Sequence, residues 1–281
     1  MWMAPRQFSI HLVVLAVVGA IVVARGARTP RARFVSCAAL CLVASLSYAP
    51  GVLAWPFVGL LLWSRSSRRV GPALLWMALA LAVAVPHAIE WRAGAQGLEG
   101  TAPGALRAVA AACAVAGLPV APALRPLAYV PTIAMGAAGI VALCGLGLVA
   151  ARGDERLRRR ALPWVALGSW SVSYAALAGW TRGESVAALH DPRFAYLAAQ
   201  LWLALMGLAS VLAFRTPAGP AVDTRWRRAL AAATLVLLAS CATASLRPFL
   251  APGGVGRLSA QLQAGRACLP AYETADDACL E

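Results

Sequence analysis

Apolar and polar positions in this chain fall into blocks rather than into an amphipathic periodicity. Phe8 to Ala24 is a 17-residue apolar run closed by Arg25, Arg28, Arg31 and Arg33. A spanning helix needs about 20 residues to cross ~30 Å of hydrocarbon, so this run sits at the lower limit. Phe34 to Trp63 then runs 30 residues without a charge, with Arg65, Arg68 and Arg69 at its far end. As one helix it would measure about 45 Å. A single crossing would also put one arginine cluster on the external side, against the preference of basic residues for the cytoplasmic face. The Pro50-Gly51 pair near its middle predicts a helical hairpin turning at Tyr48 to Gly51. It is read either as two short tilted crossings or as a re-entrant loop. Further apolar runs follow at Gly71 to Val85, Ala128 to Ala151, Leu162 to Trp180, Ala195 to Phe214 and Ala229 to Leu246.

The intervening blocks complete the architecture. Pro86 to Leu127 brings His87, Glu90, Trp91, Arg92, Glu99, Arg107 and Arg125 together with several prolines and glycines, and is expected to be external. Within it, the apolar stretch at 105–118 is too short to cross and predicts an external interfacial or partly buried helix. The expected fold is all-α: a polytopic transmembrane bundle of six crossings plus the hairpin at 34–63, or eight crossings if that hairpin spans. Residues 1–246 form the transmembrane domain and 247–281 an external tail. Only Arg6 precedes the first apolar run while four arginines follow it, the reverse of a signal peptide, so this run is expected to stay as a helix with the N-terminus outside.

Composition fixes the class. The chain is 61% hydrophobic and 13% charged, where soluble domains carry roughly 25% charged residues. The formal charge of +14 does not point to nucleic acid, since no segment is long and polar enough to present a basic face on a soluble domain. It is a topology signal. The four expected cytoplasmic connections, 25–33, 64–72, 152–161 and 215–228, hold 16 arginines and 3 acids, against 9 arginines and 8 acids in all external parts. This asymmetry places both termini on the external face. All 25 basic residues are arginine, and neither Lys nor Asn occurs, which reflects a GC-rich genome and discounts arginine identity as a functional signal.

The apolar runs contain no Asp, Glu or Arg. Ion-coupled transporters place ionisable groups near the bilayer midplane, so that class is disfavoured. Gln200 is expected to hydrogen-bond a neighbouring helix. Cys37 and Cys41, four apart, read as packing residues, and no His/Cys cluster suggests a metal. In the tail, Cys268 and Cys279 face an oxidising compartment and are a disulfide candidate, with two free thiols as the alternative. No Walker loop, nucleophile elbow or nucleotide-binding glycine motif is present, and no cofactor is implied.

Ionisable residues instead gather at the external boundary. His87, Glu90 and Arg92 follow one apolar run, and TRGESVAALHDPRFAY, residues 181–196, packs Arg182, Glu184, His190, Asp191, Arg193 and Tyr196 between two others. Loops converging on one membrane face could enclose a charged headgroup, and arginine suits phosphate because its planar donors bind two oxygens at once. The plainer reading is that such charges mark the membrane interface.

The order of short motifs adds to this. SLSYAPGVLAWPFVGLLLW (45–63), AVAGLPVAP (114–122), ALPWVALGSW (161–170), HDPRFAYLAAQLWLALMGL (190–208) and the two Cys-Leu pairs of the tail resemble the C-terminal half of bacterial membrane proteins similar to GT-C glycosyltransferases. Their pattern has an S-x-x-N-G-L-x-x-W-P hairpin and an S-R-Y segment opening a later helix. Here Pro50 stands for the Asn, Val52 for the Leu, Pro192 for the Ser and Phe194 for the Tyr. The resemblance implies a bacterial inner-membrane protein that meets a polyprenyl-phosphate sugar on the external face. Arg193 would be the matched phosphate ligand, with Arg182 beside it. Such enzymes take their base from an acid in the first external loop, and the seven residues before Phe8 hold no carboxylate. The expectation is therefore a lipid-phosphate-sugar site without a complete catalytic centre. A non-enzymatic scaffold or assembly subunit, packed against a membrane partner, is the alternative.

Overall fold

The computed structural model describes residues 3–26, 29–64, 70–95, 104–120, 129–182, 192–213 and 232. Among them there is no strand. The helices are α1 (Met3–Arg25), α2 (Pro30–Ser47), α3 (Ala54–Trp63), α4 (Val70–Ala95), α5 (Ala105–Gly117), α6 (Tyr129–Ala151), α7 (Glu155–Arg182) and α8 (Pro192–Ala213), with a 3₁₀ turn at Ala49–Leu53 between α2 and α3. The apolar run expected as a last helix at 229–246 and the tail with Cys268 and Cys279 lie outside the described residues, apart from position 232.

Five of these helices are long and apolar enough to cross a membrane: Phe8–Arg25, Pro30–Ser47, Val70–Ile89, Val130–Ala151 and Phe194–Leu212. They expose Leu15, Leu46, Leu74 and Val141, each more than 60% accessible. Helices that are apolar on their outward faces as well as their inward ones need an apolar solvent, and the fold is that of a multi-pass membrane protein. The Leu162–Trp180 run expected as a crossing belongs to α7, which is not among the five. Its first turns are charged and its middle carries Ser169, Ser171, Ser173 and Tyr174. It is the central post of the bundle, with Trp170, Ser171, Tyr174, Ala175 and Ala178 all buried.

Local chemistry explains the ends. Thr29 caps α2 by accepting from Ala32 N–H at 3.4 Å, and Pro30 occupies the first helical position, where its missing N–H costs nothing. Asp154 caps α7 through Leu157 N–H at 2.7 Å. The charged run at 152–161, expected as a connection, is mostly helical. Only Arg152 to Asp154 connect, and Glu155 onwards is helix, reinforced by Glu155 pairing with Arg158 at 3.3 Å and Arg159 at 2.7 Å. A second correction concerns Pro86. The segment that opens at Pro86 begins as helix, since α4 continues to Ala95 and places His87, Glu90 and Arg92 on helical backbone. A proline removes one helical donor, and membrane helices tolerate that loss.

The hairpin turns where Tyr48 to Gly51 was expected to turn it. Tyr48 is extended, and Gly51 N–H donates to Tyr48 O at 2.8 Å. Gly51 is required by close approach, because a Cβ there would collide with the backbone of Ala44 and Ser45. The return limb is short: α3 has 10 residues, about 15 Å, and the 3₁₀ turn adds roughly 10 Å. That is less than the ~30 Å of a bilayer core.

The helix expected at 105–118 is present as α5, but it does not lie beside the bundle. It is wedged among α6, α7 and α8, burying Ala108, Ala111, Ala114, Val115, Ala116 and Gly117 and exposing Leu106 and Val109. The wedge depends on small residues. Gly117 and Gly136 bring the backbones of α5 and α6 together so closely that a Cβ on either would overlap the other helix's carbonyls. Part of the expectation stands, since α5 is only partly buried. Its buried face packs between helices, because alanine and glycine leave room for backbone contact.

Candidate functional site at the end of the bundle that bears the hairpin turn

Two ends of the bundle can be distinguished. The last turn of α1, the end of α3 and the first turns of α7 meet, since Ala24, Arg25, Leu61, Ser64, Arg159 and Leu162 border one recess. This is the arginine-bearing end. Toward the other end lies the hairpin turn. His11 on α1 is 14 residues from Arg25 and Ser45 on α2 is 15 residues from Pro30, so both stand about 21–23 Å from the arginine end.

The turn is held by ring N–H donors. Where a helix stops inside the bundle, its last carbonyls lack helical partners, and Pro50 has no N–H to offer Leu46. Ser45, only 1% exposed, is the hub. Its hydroxyl donates to Cys41 O at 2.8 Å and accepts from Trp55 Nε1 at 3.1 Å. Its carbonyl lies 3.2 Å from His87 Nε2, which must donate there because a carbonyl only accepts. Trp76 Nε1 donates to Trp55 O at 3.0 Å, and Trp170 Nε1 to Pro50 O at 3.3 Å. Trp202 Nε1 serves the end of α5 in the same way, donating to Ala116 O at 2.9 Å. The carbonyls of the irregular turn are thereby satisfied by protein donors. Ser45, Trp55, Trp76, Trp170 and Trp202 were not singled out from the sequence for this role. The available signal was ten tryptophans in an apolar chain, each carrying a donor that needs a partner when buried.

The candidates from the sequence are distributed as follows. His87 belongs to the hairpin hub rather than to an open pocket. Tyr196, 45% exposed, meets His11 edge-to-face at 5.2 Å. Arg182 is the last residue of α7 and Arg193 the second of α8. Glu90 and Arg92 lie on α4, and the side chains of these four residues are outside the described ones, as is Asp191 altogether. Gln200, expected to reach another helix, instead donates to Tyr196 O of its own helix at 3.4 Å. With the hydroxyl of Ser171 already bridging α7 to Leu197 O at 2.9 Å, that helix pair is joined without it. Cys37 and Cys41 are fully buried free thiols, as expected of packing residues, and Cys37 Sγ donates to Ala20 O at 3.4 Å. Among the described residues no group of three His, Cys, Asp or Glu side chains is arranged to hold a metal.

What the sequence left as separate positions, the α7–α8 pair sets in register. Tyr174 stacks on Phe194 with centroids 6.1 Å apart, so residue 193 of α8 stands near the level of residue 174 of α7. Arg182 lies eight residues further along α7 than Tyr174, putting it roughly 10 Å beyond Arg193 along the bundle. Comparison of the chain with family models, with curated proteins and with solved structures finds no match. The fold and its backbone chemistry define the class, a helical multi-pass membrane protein.

Proposed function

We propose that this protein holds the phosphate of a polyprenyl-phosphate sugar at the external end of a bacterial inner-membrane bundle, with both termini external. In this reading the chain makes six crossings, α7 being one of them, and the hairpin at 34–63 is re-entrant. Arg193 is the phosphate ligand, and Arg182, further out, attracts the anion toward it. The observation that supports this reading is the register of α7 on α8, fixed by the Tyr174–Phe194 stack and the Ser171 hydroxyl on Leu197 O. It fixes the backbone that carries Arg193 within a rigid pair, with the second arginine position on the same pair. A ligand held from ordered backbone binds at less entropic cost. No catalytic step is assigned to the chain, and the base for sugar transfer is expected from another subunit.

The test is binding of a short-chain polyprenyl phosphate to the full chain in nanodiscs. Arg193→Ala should weaken it by about tenfold or more, the scale of a charge-assisted hydrogen bond. Arg193→Lys should recover only part of this, because lysine lacks the planar fork. Unchanged binding by Arg193→Ala would sink the proposal.

A second reading, an assembly subunit, draws on α4. Leu74, Leu75, Met77, Leu81, Val85 and Ile89 of that helix are all exposed. Its inward ties include Trp76 and His87. If Arg193→Ala leaves the cellular glycan profile intact while substitutions along α4 abolish recovery of a membrane complex, this second reading holds and the first fails.

A further inference from the structure

The opposite end of the bundle carries a site that the phosphate-sugar reading does not use. A cavity of about 320 Å³ opens between the end of α3, the last turns of α6 and the first turns of α7. Pockets of roughly 300–1,000 Å³ hold small molecules. Its polar rim is made by Glu155, Arg158 and Arg159, and its walls by Ala150, Leu162 and Val165. Ser64, Arg159 and Leu162 also border a small adjoining recess that Arg25 lines.

The chemistry of the rim is unequal. Glu155 brings one negative charge to two arginines and engages Arg159 Nε at 2.7 Å and one terminal nitrogen of Arg158 at 3.3 Å. A guanidinium has five N–H donors. The remaining donors of both arginines have no protein partner among the described residues, and the rim keeps a net positive charge. Ser64 spends its hydroxyl proton on Leu61 O at 2.9 Å and adds no donor. Arginine above an apolar wall, at the level where several helices end, matches an anionic lipid: guanidinium donors for the phosphate, aliphatic walls for the start of an acyl chain. A free phosphate would leave the apolar walls unused.

We propose that this crevice between α3, α6 and α7 binds the headgroup of an anionic phospholipid, with Arg158 and Arg159 on the phosphate and Leu162 and Val165 against the chain. The occupant is a membrane lipid of the bundle's own bilayer, and the site stands independently of any sugar-lipid site at the other end.

Native mass spectrometry of the full chain, titrated with phosphatidylglycerol, tests it. The wild type should retain one phosphatidylglycerol that Arg158→Ala/Arg159→Ala loses, with apparent affinity lowered by about tenfold or more. Phosphatidylcholine should not substitute. Arg31→Ala, on the first turn of α2 and outside the crevice, should bind as the wild type does. Glu155→Gln, which frees both guanidinia, should bind more tightly. Should the double alanine variant fail to fold, the Glu155→Gln comparison still decides. Equal retention of phosphatidylcholine, an equal loss in Arg31→Ala, no tightening in Glu155→Gln, or displacement by millimolar inorganic phosphate would each overturn the proposal.

Discussion

Trp170 and Pro50, 120 residues apart in the chain, are joined by an indole N–H that donates to the proline carbonyl at 3.3 Å inside the bundle. The bond couples the central helix to the turn between α2 and α3. Trp170→Phe keeps most of the ring and removes the donor. Leaving a buried carbonyl short of a partner costs about 1–3 kcal/mol. Thermal unfolding in detergent should show a clear loss for Trp170→Phe. A midpoint equal to the wild type would mean the bond carries no net stability.

Gly51 offers a sharper test of the turn. An added methyl would meet the Ala44 carbonyl and the Ser45 nitrogen, both of them backbone and unable to swing aside. Gly51→Ala should destabilise by about 1–3 kcal/mol, the usual cost of overpacking. If it folds with wild-type stability, the packing of the turn against α2 is looser than described.

At the end of α5, Trp202→Phe removes the donor to Ala116 O while Gly117 and Gly136 still hold the two backbones together. The expected result is local: faster amide hydrogen exchange in the last turn of α5, with α6 and α7 little changed. Uniform acceleration across all three helices would contradict this.

Glu155 supplies a pH dependence. Hydrogen bonding from Arg159 first, and then the charges of Arg159 and Arg158, hold its carboxyl below the ordinary 4.5. A carboxylate whose folded value is lowered contributes its stability above the unfolded value and loses it as pH falls through the folded one. The ion pairs at the start of α7 are thus complete at neutral pH and disappear only below 4.5. The group is fully exposed, so the effect on global stability is small and screened by salt. A carboxyl-carbon NMR titration should find the midpoint below 4.5 in the wild type and higher in Arg159→Ala. A wild-type midpoint at or above 4.5 would refute the pairing.

Much of the architecture was legible because it rests on strong local signals. Pro50-Gly51 inside an uncharged run marks a turn, since neither residue sustains a helix there. Apolar runs bounded by arginine mark helices, and the tetrad spacing of Cys37 and Cys41 marks a packed face. What escaped was the behaviour of charged and proline positions at helix ends. By composition Asp154 and Glu155 are charges of a connection, although the same residues are the cap and the ion-pair acceptor that start α7. Pro86 opens a polar block in the sequence, yet the one hydrogen bond it removes does not end α4 there. The candidate site was legible only as a set of positions. The register that relates residue 182 to residue 193 comes from the Tyr174–Phe194 stack, a tertiary contact that residue spacing does not encode.

The tryptophan donors have a consequence for how the chain is assembled in a membrane. The carbonyl of Pro50 is made early, with the first helices, while its donor on α7 is synthesised 120 residues later. Until then that oxygen needs water or another donor, because apolar surroundings offer it none. The turn of the first half is therefore finished by the second: a fragment ending after α4 keeps the contacts of Trp55, Trp76 and His87 but leaves the Pro50 carbonyl without its indole donor.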